Sequence, residues 1–144
     1  MEFKATQSIP KSGEIRLGLV ETASGKHKYT GLRPYLVVSN NVFNNTSGHA
    51  EVIPFTTKRH KSKNPVHVHY RADEVVGLTR NSTLIIEGRT TLAHTDLSEP
   101  VGYFTQENWE KAAVAMVLQT PQILSAFNTG LAETPLYNHL LTAK

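Results

Sequence analysis

Apolar and polar positions alternate over EIRLGLVE (14–21), which sets Ile15, Leu17 and Leu19 on one side of a predicted strand. Gly25 and Gly31 bracket a polar loop, and YLVVS (35–39) is then a continuous apolar run, the pattern of a central strand covered on both faces. Asn40, Asn41, Asn44, Asn45 and Gly48 mark turns, with a short helical turn at Val42 and Phe43. AEVIPFTT (50–57) predicts the next strand, in which Pro54 implies an edge position or a bulge, because proline brings no N–H to a ladder. KRHKSKNP (58–65) is a polar loop. VHVHYRA (66–72) alternates cleanly, with Val66, Val68 and Tyr70 on one face and His67, His69 and Arg71 on the other. STLIIEGRTTL (82–92) predicts a long strand interrupted at Gly88.

The period changes at residue 105. TQENWEKAAVAMVLQT (105–120) has Thr105 as N-cap, acids in its first turns and a 3.6-residue stripe of Trp109, Ala112, Ala113, Met116 and Val117. Pro121 ends it. Spaced apolar residues over 121–141 predict one or two short helices broken near Gly130 and Pro135. About five to seven strands followed by helix make a mainly β (α+β) chain, a small barrel or strongly curved sheet with helices on it. The pattern divides the chain into a loose or edge segment at 1–11, a domain at 12–120 and a C-terminal helical extension at 121–144.

With 144 residues the chain can bury one real core. It has no stretch of the roughly 18 to 20 apolar residues that a membrane helix needs, and no apolar leader of the secretory kind at its start. It contains no cysteine, which excludes disulfides and thiolate metal sites and fits a cytoplasmic protein. The formal charge is only +3, but it is unevenly spread. Between Lys26 and Arg71 stand eight Lys or Arg and one acid, Glu51, a local charge of +7; the rest of the chain carries −4. Such asymmetry points to an anionic partner for one part of the surface.

GEIRL (13–17), GLRPYLVVSN (31–40), VIPFTT (52–57) and EGRTTL (87–92), in this order and spacing, resemble the MazF/PemK toxins of type II toxin–antitoxin modules over roughly residues 12–118. The resemblance implies an SH3-like barrel with a C-terminal helix, the CcdB/MazF-type fold, assembled as a homodimer. It implies an endoribonuclease that needs no metal or other cofactor and is independent of the ribosome. The products would be 2′,3′-cyclic phosphate and 5′-hydroxyl ends, and a cognate antitoxin would block the RNA groove.

Cleaving RNA without a metal requires that the 2′-hydroxyl lose a proton, the five-coordinate phosphate be stabilised and the leaving 5′-oxygen be protonated. Arg33 suits the phosphate, since a guanidinium stays charged and meets phosphate oxygens in a bidentate fork. It matches the family's catalytic arginine, and the Arg-Pro step fixes it where loop becomes strand. Thr56 matches the family's threonine, whose hydroxyl can bond the scissile phosphate. In the loop GKHK (25–28), the position where many relatives carry Glu is Lys28. His27 aligns with a histidine of some PemK-type members, and an imidazole titrates near pH 6.5, so His27 is the candidate acid or base. The Arg and Asp that PemK-type members place before their "RT" step fall here on Leu84 and Ile86. Lys26, Lys28, Tyr29, Thr57, Lys58, Arg59, Lys61 and Lys63, with His60, are candidate contacts to single-stranded RNA. Tyr29 and Phe55 offer stacking surfaces, although Phe55 suits the core equally.

Other readings remain open from the sequence. His67 and His69 with His60 could hold a metal, since an HxH strand puts two imidazoles on one face. Glu87 and Arg89 could form an internal pair. A chain of this fold could also be a CcdB-like gyrase inhibitor, although Trp109 sits on the helix core stripe. Without the usual Glu, it could be an inactive RNA-binding or regulatory module.

Overall fold

The computed structural model describes residues 3–20 and 31–129. Among them are seven antiparallel strands, β1 (Glu14–Val20), β2 (Gly31–Val37), β3 (His49–Thr56), β4 (His67–Tyr70), β5 (Ser82–Ile85), β6 (Thr90–Ala93) and β7 (Leu97–Tyr103). Three α-helices accompany them: α1 (Asn41–Ser47), α2 (Gln106–Gln119) and α3 (Gln122–Thr129). The sheet order is β4-β5-β3-β2-β1-β7, with β6 also paired to β3. The chain is mainly β with C-terminal helices, as the sequence pattern predicts. α3 is the first of the short helices expected over 121–141, and the breaks expected at Gly130 and Pro135 lie outside the described residues.

The continuous apolar runs of β2 and β3 arise because both faces of these strands are buried. Leu36, Ile53 and Phe55 point into a core shared with Val68, Tyr70, Phe104, Ala112 and Ala115. Their neighbours Tyr35, Val37, Ala50 and Val52 point the other way, into a second cluster with Leu97. In the first core, Phe55, Tyr70, Phe104 and Trp109 make a chain of ring contacts with centroids 5.2–6.4 Å apart. Trp109 is therefore a packing residue.

Pro54 lies neither on an edge nor in a bulge. β3 is the central strand, paired to β2 along one side and to β6 and then β5 along the other. The Glu51 carbonyl accepts from Val38 N–H, so the odd-numbered backbone groups of β3 face β2. By alternation, the missing donor of Pro54 faces the other side. There it falls between the last β6 pair, Val52 with Thr90, and the first β5 pair, Phe55 with Leu84.

Other expectations change in detail. Ile15 is buried, but Leu17 and Leu19 are only partly so, because Ile15 packs in the core beneath α2 while their cross-strand partners are Pro34 and the exposed Leu32. Arg16 is 1% exposed. Its guanidinium pairs with Glu14 at 2.8 Å and donates to Thr6, Ser8, Ile9 and the Ser98 carbonyl. Thr6, Gln7 and Ser8 also donate to the Glu99 carboxylate, which anchors the N-terminal stretch on β7. The turn at Val42–Phe43 is a full helix, α1, capped by the Asn40 side chain on Phe43 N–H and closed by Gly48 at φ 73°. The 82–92 strand breaks at a 3-10 turn over Ile86–Gly88. On α2 the buried residues are Asn108, Ala112 and Ala115, while Ala113 is exposed. β7 has no counterpart in the sequence pattern, since LSEPVGY does not alternate and its pairing with β1 shifts register twice.

Candidate functional site

The β2–β3 register pairs Tyr35 with Pro54, Leu36 with Ile53 and Val37 with Val52. Carried two residues further, it sets Arg33 across from Thr56, on the face that Tyr35 and Pro54 share. The Arg33 Nη1 donates to the Phe55 carbonyl at 3.5 Å. On its other side, Arg33 pairs with Gly18 of β1. A Cβ on Gly18 would meet the Tyr35 ring at 2.6 Å, so the glycine makes room for the aromatic beside the arginine. Burial pushes the Tyr35 phenol up, and the Arg33 charge pulls the other way.

Arg33 and Thr56 open into one cavity of about 290 Å³, also lined by Leu32, Pro34, Thr57, Lys58, Leu78, Thr79, Arg80 and Ser82. Thr56 is buried, and its Oγ1 accepts from Lys58 N–H at 3.2 Å. That bond uses a lone pair and leaves the hydroxyl hydrogen available to an oxygen placed in the cavity. Hydroxyls from Thr56, Thr57, Thr79 and Ser82 and cations from Arg33, Lys58 and Arg80 surround a space whose Leu32, Pro34 and Leu78 walls are apolar. Such a lining offers cationic and hydroxyl donors to an anionic group.

The structure thus brings together Arg33, Thr56, Thr57 and Lys58. Arg59, His60, Lys61 and Lys63 follow on the next loop, outside the cavity lining. Lys26, His27, Lys28 and Tyr29 lie outside the described residues. Phe55 is 1% exposed and packs as a core residue, although it also borders the cavity. Sequence reasoning missed Thr79, Arg80 and Ser82. Thr79 and Arg80 lie in DEVVGLTRN (73–81), where no period marks an element and only the turn residue Gly77 hints at structure, and Ser82 opens the predicted 82–92 strand with nothing to mark it as a site residue.

His67 and His69 share a face, as the alternation predicts, but they serve the basic loop rather than a metal. His67 Nδ1 meets Ser62 Oγ at 2.6 Å and its Nε2 meets Glu87 at 2.6 Å. His69 Nδ1 meets Thr83 Oγ1 at 2.8 Å and its Nε2 meets the Ser62 carbonyl at 2.7 Å. All four ring nitrogens have protein partners, and two of them hold Ser62 in the middle of the 58–65 loop. The expected Glu87–Arg89 pair does not form. Arg89 instead reaches Glu51 at 2.9 Å, because the turn at Gly88 sends it toward β3, where β6 pairs beside Glu51.

A seven-stranded antiparallel sheet followed by helices, with Arg33 and Thr56 on the lining of one cavity beside Lys58 and Arg80, defines a small, mainly β protein with C-terminal helices. Residues 11–119 match the family described as PemK-like, MazF-like toxin of type II toxin-antitoxin system, and the chain belongs to that family. It is 28% identical over 108 residues to the Endoribonuclease EndoA of Bacillus subtilis (strain 168), covering 75% of this chain and 91% of that protein. A mycobacterial endoribonuclease in complex with its cognate antitoxin superposes with a TM-score of 0.60 at 20% identity, over 78% of this chain and 95% of that one. MazF from Deinococcus radiodurans superposes with a TM-score of 0.62 at 18% identity, over 80% and 99%. These two similarities establish the fold. Among the described residues, no helix is long and apolar enough to cross a membrane.

Proposed function

We propose that the chain is the toxin of a toxin–antitoxin pair, an endoribonuclease that cuts single-stranded RNA through the substrate's own 2′-hydroxyl. The observation that carries this reading is the Arg33–Thr56 juxtaposition at the mouth of one cation-lined cavity. The scissile phosphate lies against Arg33, whose guanidinium stabilises the charge that grows on the equatorial oxygens. Thr56 donates its hydroxyl hydrogen to one of them. The 2′-oxygen forms a bond to phosphorus as its proton leaves to a base, and the bond from phosphorus to the 5′-oxygen breaks as that oxygen takes up a proton. His27 is the proton carrier, in the loop bounded by Gly25 and Gly31 where Lys28 replaces the usual Glu. Lys26, Lys28, Tyr29 and Thr57 contact neighbouring nucleotides, and Lys58, Arg59, Lys61 and Lys63 hold the backbone.

Residues 12–120 act as the toxin domain, in the cytoplasm and as a homodimer that is bound and silenced by a cognate antitoxin. Exposed Val114 and Leu118 on α2 and Ile123 and Leu124 on α3 support an interface at the helical end. The decisive experiment incubates purified protein with single-stranded RNA in EDTA and identifies the end groups of the products. Cleavage to cyclic phosphate and 5′-hydroxyl ends, abolished by Arg33→Ala in a folded protein, is the expected result. Intact RNA with the wild-type protein would sink the reading in favour of an RNA-binding module.

A further inference from the structure

The cavity at Arg33 has a second arginine that the chemistry above does not use. Arg80 and Thr79, on the connection between β4 and β5, lie on its lining together with Ser82, the first residue of β5. This connection is built as a fixed support. Val75 and Leu78 are buried in the main core, and Val76 is bridged to Tyr103. Gly77, at φ 104°, packs so tightly on Gly102 that a Cβ on Gly102 would lie 1.8 Å from the Val76 carbonyl oxygen. Asn81 Oδ1 accepts from Ala72 N–H at 3.0 Å, and Ser82 Oγ donates to the Arg80 carbonyl at 2.8 Å. The backbone on both sides of Arg80 is therefore tied down, while its side chain is exposed.

Among the described residues Arg80 makes no ion pair, whereas Arg16, Arg71 and Arg89 each meet a carboxylate. Nor does any acid among them line the cavity. A guanidinium carried to the cavity by an anchored turn, with hydroxyl-bearing residues on the same lining and no acid among the described ones there, matches a phosphate of the substrate.

We propose that Arg80 is a substrate-binding residue that grips the phosphate next to the scissile one, so that Arg33 and Arg80 hold consecutive phosphates across the cavity. The proposal rests on the endoribonuclease reading. Arg80 adds affinity and register to the RNA, and Arg33 keeps the transition-state charge.

The test measures cleavage kinetics of a single-site RNA oligonucleotide and equilibrium binding of its uncleavable analogue, 2′-O-methylated at the scissile nucleotide, across a salt series. Wild type, Arg80→Ala, Arg80→Lys and Arg71→Ala are compared. Arg71 is an exposed arginine paired with Asp73 and serves as the control for general charge loss. Arg80→Ala should weaken binding and raise KM about tenfold with kcat within about twofold, as for loss of one charge-assisted contact. Its slope of log K against log salt should flatten by about 0.7, the value for one phosphate on a single strand. Arg80→Lys should keep the slope and recover part of the affinity. The inference is overturned if Arg80→Ala binds and cuts as wild type does, or if Arg71→Ala shows the same loss. Wild-type protein that leaves the RNA uncut would instead bring down the underlying reading, and this inference with it. Circular dichroism establishes that each variant is folded.

Discussion

Thr56 offers the sharpest separation of activity from stability. Its hydroxyl accepts from Lys58 N–H at 3.2 Å and sits at the rim of the Arg33 cavity. Thr56→Val replaces that hydroxyl with a methyl group and keeps the β-branched shape that suits a strand. The bond lost from the described network belongs to Lys58, an exposed residue whose N–H turns to water. Folding stability should therefore fall by no more than about 1 kcal/mol. The reaction loses a preorganised donor to the phosphate, which costs on the order of 10²-fold in kcat, about 3 kcal/mol of barrier. Thr56→Ser retains the donor and should recover most of the rate. The assay pairs initial rates at saturating fluorogenic RNA with thermal denaturation of the same samples. Two results would refute the reasoning: Thr56→Val at wild-type kcat, or a rate loss that Thr56→Ser shares in full.

Gly102→Ala should destabilise the protein by about 3 kcal/mol or more, since the new Cβ would collide with backbone at Val76 rather than with a movable side chain; chemical denaturation measures it. Arg16→Met leaves the Glu14 carboxylate without its partner and removes the tie to Thr6, Ser8 and Ser98, so a loss of about 3 kcal/mol is expected in the same assay, and a neutral outcome would mean the buried network is dispensable. Hydrogen bonds from Ser8 Oγ, Gln7 N–H and Thr6 Oγ1 hold the Glu99 carboxyl down at about 2. Because the folded value lies below the unfolded one, its contribution is present above about pH 4.5 and is lost as the pH falls toward 2. NMR titration should show residues 6–8 detaching from β7 in that window, and a Glu99 midpoint near 4.5, the unshifted glutamate value, would contradict it.

Local pattern was enough for most of the barrel. Alternation in 66–72, the apolar run at 35–39, the interruption at Gly88 and the capped helix from Thr105 each depend on neighbours within a few residues, so the sequence alone determined them. It also singled out Arg33 and Thr56, because the Arg-Pro and Thr-Thr steps and their spacing carry the family resemblance. Tertiary structure decided what depends on distant partners. Pro54 implies an edge or a bulge from the sequence, whereas the fold puts it in a central strand that changes partners from β6 to β5 beside it. Arg16 is buried only because the N-terminal stretch and Ser98 close over it. β7 has no period because its pairing with β1 slips twice, so its strand character comes from the ladder. Arg80 sits in a stretch without local signal and reaches the Arg33 cavity only because Gly77 and Gly102 can approach closely enough to dock its turn. A contact between residues far apart in the chain leaves no periodic trace in either segment, and only the folded sheet brings such residues together.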